Sequence, residues 1–150
     1  MISWPTNPQE QEWLCEFMRI REIPCLGKES RFIVWLEGGT PVWVVALDGW
    51  IGRVSSIHFA CDKPRMLPRR LCKAVFKYAF EYLKLRAVYG YQDSTNEGAI
   101  RLSEWVGFKL IYTVPKGGLR GDLRIVELLA EDCRWWKEGQ NGEEQITAAA

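Results

Sequence analysis

The segment that decides the fold runs from Asn96 to Phe108 and reads N-E-G-A-I-R-L-S-E-W-V-G-F. Ser94, with Glu97 three residues later, has the pattern of a capping box and predicts the start of a helix. Gly107 near the end of the segment predicts a left-handed cap that stops this helix. The segment is therefore expected to be one helix with a defined beginning and end.

Strands are predicted on both sides of this helix. Arg86 to Tyr91 precedes it with alternating apolar residues, and Phe108 to Val114 and Leu123 to Leu129 follow it. The glycine-rich connection K-G-G-L-R-G-D is suited to a hairpin between the last two strands. Further upstream, a long amphipathic helix is predicted from apolar residues at i, i+3, i+4, i+7, i+8 and i+11: Cys72, Val75, Phe76, Ala79, Phe80 and Leu83.

The first half of the chain is predicted to be a helix followed by an antiparallel meander. Asn7 stands before a proline, which is typical of a helix N-cap. Arg31 to Glu37 and Pro41 to Leu47 are β-branched and aromatic runs, which predict paired strands. The Asp48-Gly49 dipeptide predicts the next turn, and Trp50 to Cys61 would then be the third strand.

The composition is that of one globular domain. A chain of 150 residues with 47% hydrophobic residues can bury a core, so residues 1–136 are predicted to form a single domain. Residues 137–150 lack an apolar period and are predicted to be a disordered tail. The formal net charge of +1 disfavours a nucleic-acid partner. No leader or membrane-length apolar run is found, which predicts a cytoplasmic protein with no membrane partner.

The cysteines and the histidine limit the chemistry that is available. Five cysteines without a C-x-x-C pair predict reduced thiols rather than a disulfide framework. A single histidine disfavours a zinc site. No metal is therefore expected.

The order of the predicted elements, together with Asn96 to Phe108, resembles the GNAT (GCN5-related N-acetyltransferase) superfamily. The segment is similar to that family's N-x-x-A-x-x-L-x-x-x-x-G-F pattern, which follows the fifth strand. The resemblance covers residues 30–136. It implies an α/β GNAT fold, with a mixed central sheet, a splay between the fourth and fifth strands, and helices on both faces. It also implies acetyl-CoA as the cofactor.

A closer resemblance is to GNAT-like proteins encoded in bacteriophage genomes. The matching residues are Asp48-Gly49, Phe80, Asn96, Ala99, Gly107-Phe108, Gly121-Asp122 and Cys133-Arg134-Trp135. Some of these phage proteins lie among head-assembly genes, so the resemblance implies a second kind of function besides acetyl transfer. It also implies the cytoplasm of a bacterial host as the location.

The resemblance assigns the cofactor to the end of the fourth strand and the helix after it. The backbone of Phe59, Ala60 and Cys61 would pair with the pantetheine arm of acetyl-CoA. Asn96, at the end of the fifth strand, would contact cofactor or substrate, or it would only complete a turn. Cys61 could also be a nucleophile, but no Cys-His arrangement marks it.

The phosphate-binding loop departs from the family pattern. Lys63 to Leu71 reads K-P-R-M-L-P-R-R-L, with Met66 and Pro68 at the positions of the family's glycines. Pro68 has no N–H to offer a phosphate. Guanidinium and ammonium groups could replace the lost amides, or they could belong to a solvated loop. These groups are Lys63, Arg65, Arg69 and Arg70.

The catalytic positions of the family are changed as well. By alignment, Ser56 and Ser103 stand where family members carry a carboxylate base and a tyrosine acid. His58 lies on the same predicted strand as Ser56 and is the candidate base, because imidazole exchanges protons near neutral pH. The alternative is a hydrogen-bonded histidine on a strand face. Three tyrosines are candidate acids or core residues: Tyr89, Tyr91 and Tyr112.

Two functions are therefore compared. The first is an N-acetyltransferase that transfers acetyl directly from acetyl-CoA to an amine of an unidentified acceptor. The second is a catalytically degenerate GNAT-fold phage protein that acts in head or virion assembly, binding a phage or host protein through an aromatic surface. Tryptophans near the chain ends could form that surface or pack internally: Trp4, Trp13, Trp135 and Trp136. Nucleic-acid binding through Lys63 to Lys77 is a weaker third hypothesis.

Overall fold

Seven strands and three α-helices are the main elements of the part of the chain that the computed structural model describes, residues 1–24 and 27–137. The strands are β1 (Ile2–Ser3), β2 (Arg31–Glu37), β3 (Thr40–Ile51), β4 (Val54–Cys61), β5 (Ala87–Asp93), β6 (Lys109–Val114) and β7 (Leu123–Leu129). The helices are α1 (Pro8–Arg19), α2 (Arg69–Phe76) and α3 (Glu97–Val106). One mixed sheet contains all the strands, in the order β1-β2-β3-β4-β5-β7-β6. The predicted α/β class is confirmed.

The β4–β5 contact is the one parallel pairing in this sheet, and it is short. The paired residues are Val54 with Ala87, Ser55 with Val88, and Ser56 with Tyr89. Beyond Ser56, β4 continues to Cys61 paired only with β3, while β5 continues to Asp93 paired only with β7. The two strands therefore separate after three residue pairs. This confirms the splay that was expected between the fourth and fifth strands.

Helices cover both faces of the sheet, as predicted. On one face, α1 buries Leu14, Phe17 and Met18 against apolar residues of β2, β3 and β4. On the other face, α2 and the residues at the end of α3 share a larger core with β3, β4, β5 and β7. Because side chains alternate along a strand, every second residue of β4 faces α1. Ala60 belongs to the α1 core, so Ser56 and His58 lie on that same face.

The predicted turn at Asp48-Gly49 is wrong. Strand β3 runs through this dipeptide, and the chain reverses at Gly52-Arg53, where Ile51 pairs with Val54. The register of β3 against β4 shifts between Asp48 and Ile51, which marks a β-bulge. Gly49 has a φ of 59°, so the dipeptide carries the backbone signal of a turn although it lies within a strand.

The helix boundaries differ from the sequence pattern at two points. The N-cap of α3 is Asn96, whose Oδ1 accepts a 3.1 Å hydrogen bond from the Ala99 amide, whereas the Oγ of Ser94 accepts from the Asp122 amide. The predicted left-handed cap at Gly107 is confirmed, with a φ of 117°. The amphipathic helix is also confirmed, but it continues from α2 into a π-helical turn over Lys77–Tyr82.

The chain ends bear on two further predictions. Trp135 is buried and Trp136 is partly buried against the α2 core, so these two side chains pack internally, whereas Trp4 and Trp13 are about half exposed. Of the predicted tail, residues 137–150, only Lys137 is within the described range, and the rest lies outside it. Among the described residues, no helix is long and apolar enough to cross a membrane.

The position of the β3–β4 turn can be tested at Gly52. Its φ is 55°, a conformation that a β-branched residue adopts at a cost of about 1–2 kcal/mol, whereas asparagine tolerates it. We expect Gly52→Val to lower the free energy of unfolding by about that amount and Gly52→Asn to lower it much less. Chemical denaturation of both variants measures the difference. Equal stability of the two variants would contradict this turn.

Candidate active site

The opening between β4 and β5 has one wall at Phe59–Cys61. Phe59 and Cys61 pack towards the α2 core, and Ala60 is buried on the α1 side. The Asp62 amide donates to the Val42 carbonyl of β3, so the Cys61 carbonyl of the same trans peptide points away from β3, towards the opening. Burial, and then the charge of Asp62, raise the pKa of the Cys61 thiol, which makes it a poor nucleophile.

Arg21 occupies part of this wall. Its Nε donates a 2.8 Å hydrogen bond to the Cys61 carbonyl, and its Nη1 donates to the Phe17 carbonyl. The guanidinium also lies 3.6 Å from the centre of the Phe17 ring. One of the carbonyls predicted to pair with pantetheine is therefore already bonded to an arginine that the sequence did not single out.

His58 lies on β4 two residues past the last β4–β5 pair, where the strands begin to separate. Its Nε2 is 2.9 Å from Oδ1 of Asp48. The Asp48 side chain is 2% exposed and that of His58 is 14% exposed. The structure thus brings the predicted base together with a buried carboxylate. The sequence signal for this carboxylate was a charged residue directly after the apolar run V-V-A-L. It was missed because Asp48-Gly49 was interpreted as a turn.

The candidate acids occupy different positions. Tyr89 pairs with Ser56 across the last β4–β5 contact, so it shares a face with His58. Its hydroxyl donates a 2.8 Å hydrogen bond to Glu127, and this bond raises the pKa of Tyr89. Tyr91 is half exposed further along β5, and Tyr112 is exposed on the edge strand β6. Tyr89 is therefore the tyrosine nearest in the sheet to the start of the opening.

Ser103 does not bond to His58 or to the candidate tyrosines. It is buried in α3, and its hydroxyl donates to the Ile100 carbonyl one turn earlier. This bond is a local helix contact. The position where the family carries a tyrosine acid is thus occupied by a residue that bonds within its own helix.

The loop before α2 presents few backbone donors. Pro68 is the N-cap of α2, and its carbonyl accepts from the amides of Leu71 and Cys72. The amides of Arg69 and Arg70 are the first that point out of the helix start. Met66 is 83% exposed and fills no internal space, while its carbonyl accepts from the Trp43 indole.

The predicted phosphate-binding arginines are not equivalent. Arg65 binds two carboxylates, with Nη1 3.0 Å from Glu37 and Nη2 3.0 Å from Asp62, so an anion would have to compete with both. Arg69 lies over the rings of Trp105 and Trp135, with its guanidinium carbon 6.0 and 5.8 Å from their centres. Arg70 is exposed and makes no ion pair within the described ranges.

The second wall of the opening is the end of β5, where Asp93 and Asn96 accept hydrogen bonds from the residues that follow. Asn96 caps α3 through its side-chain oxygen, and its predicted contact with cofactor or substrate stays a prediction. Asp93 accepts hydrogen bonds from the side chain and amide of Thr95 and from the amides of Arg120 and Gly121. These bonds, that of the Thr95 hydroxyl first, hold the pKa of Asp93 well below its ordinary range.

Two loops are tied together beside the opening. Arg120, in the β6–β7 loop, binds Glu22 after α1 through both carboxylate oxygens, at 2.6 and 2.7 Å. Asp93 anchors this loop to the end of β5, and Arg21 anchors the segment after α1 to the end of β4. The pair joins residues 98 positions apart, so no local pattern could reveal it.

Comparisons with known proteins identify the fold. No protein-family model and no curated protein matches the sequence. A spermidine N-acetyltransferase SpeG mutant (F149A) from Vibrio cholerae superposes with a TM-score of 0.70 at 15% identity, over 87% of this chain and 95% of that chain. An acetyltransferase of the GNAT family from Streptococcus pneumoniae gives 0.69 at 13% identity, over 86% and 98%.

This similarity shows that the chain has the GNAT fold, with the mixed sheet and the β4–β5 splay described above. The particular likeness to bacteriophage proteins stays a prediction. No cluster of three or more metal-ligating side chains is found among residues 1–24 and 27–137.

A substitution at Asp93 tests whether its carboxylate anchors the β6–β7 loop to the end of β5. We expect Asp93→Asn to weaken the bonds to the Arg120 and Gly121 amides and to increase their hydrogen exchange at neutral pH. Because the carboxyl pKa is lowered in the folded state, the stability difference from the parent should be complete above about pH 4 and decline as the pH falls further. Asp132→Asn is the control, since Asp132 makes a 3.9 Å surface pair with Lys109. Unchanged exchange would refute the anchor.

Proposed function

We propose that this protein is an N-acetyltransferase that transfers an acetyl group from acetyl-CoA to an amine. The observation that carries the proposal is the position of His58, at the point where β4 and β5 separate in a GNAT fold. The solved relatives include a spermidine N-acetyltransferase, which supports amine chemistry but leaves this chain's acceptor open.

The chain offers a partial fit to acetyl-CoA. The edge of β4 that faces the opening would pair with the pantetheine arm along Phe59–Cys61, except at the carbonyl that Arg21 occupies. The start of α2 would bind the phosphates through the amides and guanidinium groups of Arg69 and Arg70. When bound, acetyl-CoA supplies the activated thioester.

His58 is assigned the role of general base. An amine must lose a proton as it forms an amide, and a neutral imidazole at the opening can accept that proton. Tyr89 lies on the same face and is assigned the role of acid for the leaving thiolate, which requires its hydroxyl to turn away from Glu127. The transfer is direct, since no activated nucleophile is found among the described side chains of the opening.

The second proposal is a degenerate GNAT-fold protein that acts in phage head or virion assembly. It is favoured by the departures at the cofactor site, namely Pro68 at the helix start and Arg65 neutralised by two carboxylates. Trp4 and Tyr82 are exposed and pack on either side of the partly buried Tyr78, so they provide an aromatic surface. This protein would bind a phage or host protein instead of an amine.

Calorimetry with CoA separates the two proposals. We expect binding that weakens with salt and becomes at least tenfold weaker in the Arg69→Ala/Arg70→Ala variant, since a charged hydrogen bond contributes about 1.5–3 kcal/mol. Arg101→Ala/Lys109→Ala removes the same charge from exposed positions elsewhere and should bind like the parent. Absence of binding at millimolar CoA would reject the acetyltransferase and favour the assembly protein.

A kinetic test addresses His58 directly. With a panel of amines as acceptors, we expect His58→Ala to lower kcat about 10²–10⁴-fold, the usual contribution of a general base, without changing the Kd for CoA. The measurement combines steady-state rates with calorimetry on the same preparation. Full activity of His58→Ala would remove the histidine from the mechanism while leaving cofactor binding in place.

A further inference from the structure

We propose that Asp48 is a positioning residue that holds His58 in the Nε2–H tautomer and leaves Nδ1 as the free proton acceptor. The inference concerns the base assigned above and therefore rests on the proposed function for its chemical meaning. It is argued from the buried contact between these two side chains and from the backbone that creates the contact.

The carboxylate of Asp48 requires a donor. It is 2% exposed, and a buried carboxylate without a partner is strongly destabilising. Within the described part of the chain, His58 Nε2 is its hydrogen-bond partner, at 2.9 Å. An ionised carboxylate only accepts hydrogen bonds, so the shared hydrogen must be carried by Nε2. In the neutral imidazole, Nδ1 then carries a lone pair and can accept a proton.

The sheet register places the two groups side by side. Asp48 is opposite Ser56, and His58 is opposite Ala46, so Asp48 and His58 are diagonal neighbours on one face of the β3–β4 pair. The regular register ends immediately after Asp48. At this bulge the backbone of Gly49 comes so near to Ser56 that an added Cβ would lie 3.0 Å from its Oγ. Bulges re-aim neighbouring side chains, and this one lies beside the carboxylate.

A tyrosine on the same face, one strand further from Asp48, is engaged elsewhere. Tyr89, opposite Ser56 on β5, donates its hydroxyl hydrogen to Glu127 and not to Asp48 or His58. Glu127, which is opposite Tyr89 on β7, is the acceptor of that bond. The Asp48–His58 contact is therefore separate from the Tyr89–Glu127 contact, and each pair holds one proton in a defined place.

The tautomer can be measured directly because the chain contains one histidine. In long-range ¹H–¹⁵N NMR spectra of the ¹⁵N-labelled protein, at a pH where the imidazole is neutral, we expect the pattern of the Nε2–H tautomer. Asp48→Asn should give a mixture of tautomers, because an amide can donate or accept. Ser56→Ala changes the residue opposite Asp48 without touching the carboxylate and should keep the parent pattern. The Nδ1–H tautomer in the parent protein would overturn the proposal, whether or not any variant folds.

The functional consequence has its own readout. We expect Asp48→Asn to lower kcat at least tenfold at an unchanged Kd for CoA, with Asp48→Glu recovering part of the loss. If the parent protein does not bind CoA, the proposed acetyltransferase is rejected. The NMR pattern would still decide whether Asp48 sets the tautomer of His58. A folded Asp48→Asn variant with both parent tautomer and parent kcat would refute positioning by Asp48.

Discussion

The short parallel contact between β4 and β5 is the constraint on which the rest of the structure depends. Only three residue pairs join the strands, and then each strand keeps a single partner, β3 or β7. Backbone groups along the diverging edges are left without a strand partner, and such groups must find other donors and acceptors. Arg21 satisfies one of them at Cys61. The divergence thus creates both an opening for a ligand and a need to complete the backbone bonding around it.

The same divergence explains why polar side chains collect on the α1 face. Helix α1 covers β2, β3 and β4 but contributes no core contact to β5 or β7. Asp48, His58, Tyr89 and Glu127 occupy the face near the edge of this apolar layer, and they bond to one another in pairs. Asp48 is buried, so separating it from His58 would leave a costly unpaired group, whereas the Tyr89–Glu127 pair is only partly buried.

Electrostatic pairing also limits what the cofactor site can do. Arg65 is engaged by Glu37 and Asp62, whereas Arg69 rests on indole rings and has no ion-pair partner among residues 1–24 and 27–137. Four basic residues near α2 looked alike in the sequence, but their surroundings differ. An anion would meet Arg69 and Arg70 at the helix start without displacing any carboxylate of the described residues. The distinction depends on residues far along the chain, such as Glu37, which lies 28 positions from Arg65.

The sequence by itself determined the three α-helices, the limits of β2 and β7, and the fold class, whereas β1 was missed and the limits of the other strands differ from those predicted. Apolar spacing predicted the amphipathic helix that contains α2, Gly107 predicted the end of α3, and the runs at Arg31–Glu37 and Leu123–Leu129 matched β2 and β7, because these signals are local. Tertiary structure decided that Asp48-Gly49 is a bulge rather than a turn, and which partners His58, Arg65 and Arg120 take. Those outcomes depend on strand register and on contacts between distant segments. A dipeptide such as Asp-Gly has the same local conformational freedom in a turn and in a bulge, so only pairing with the neighbouring strand distinguishes them.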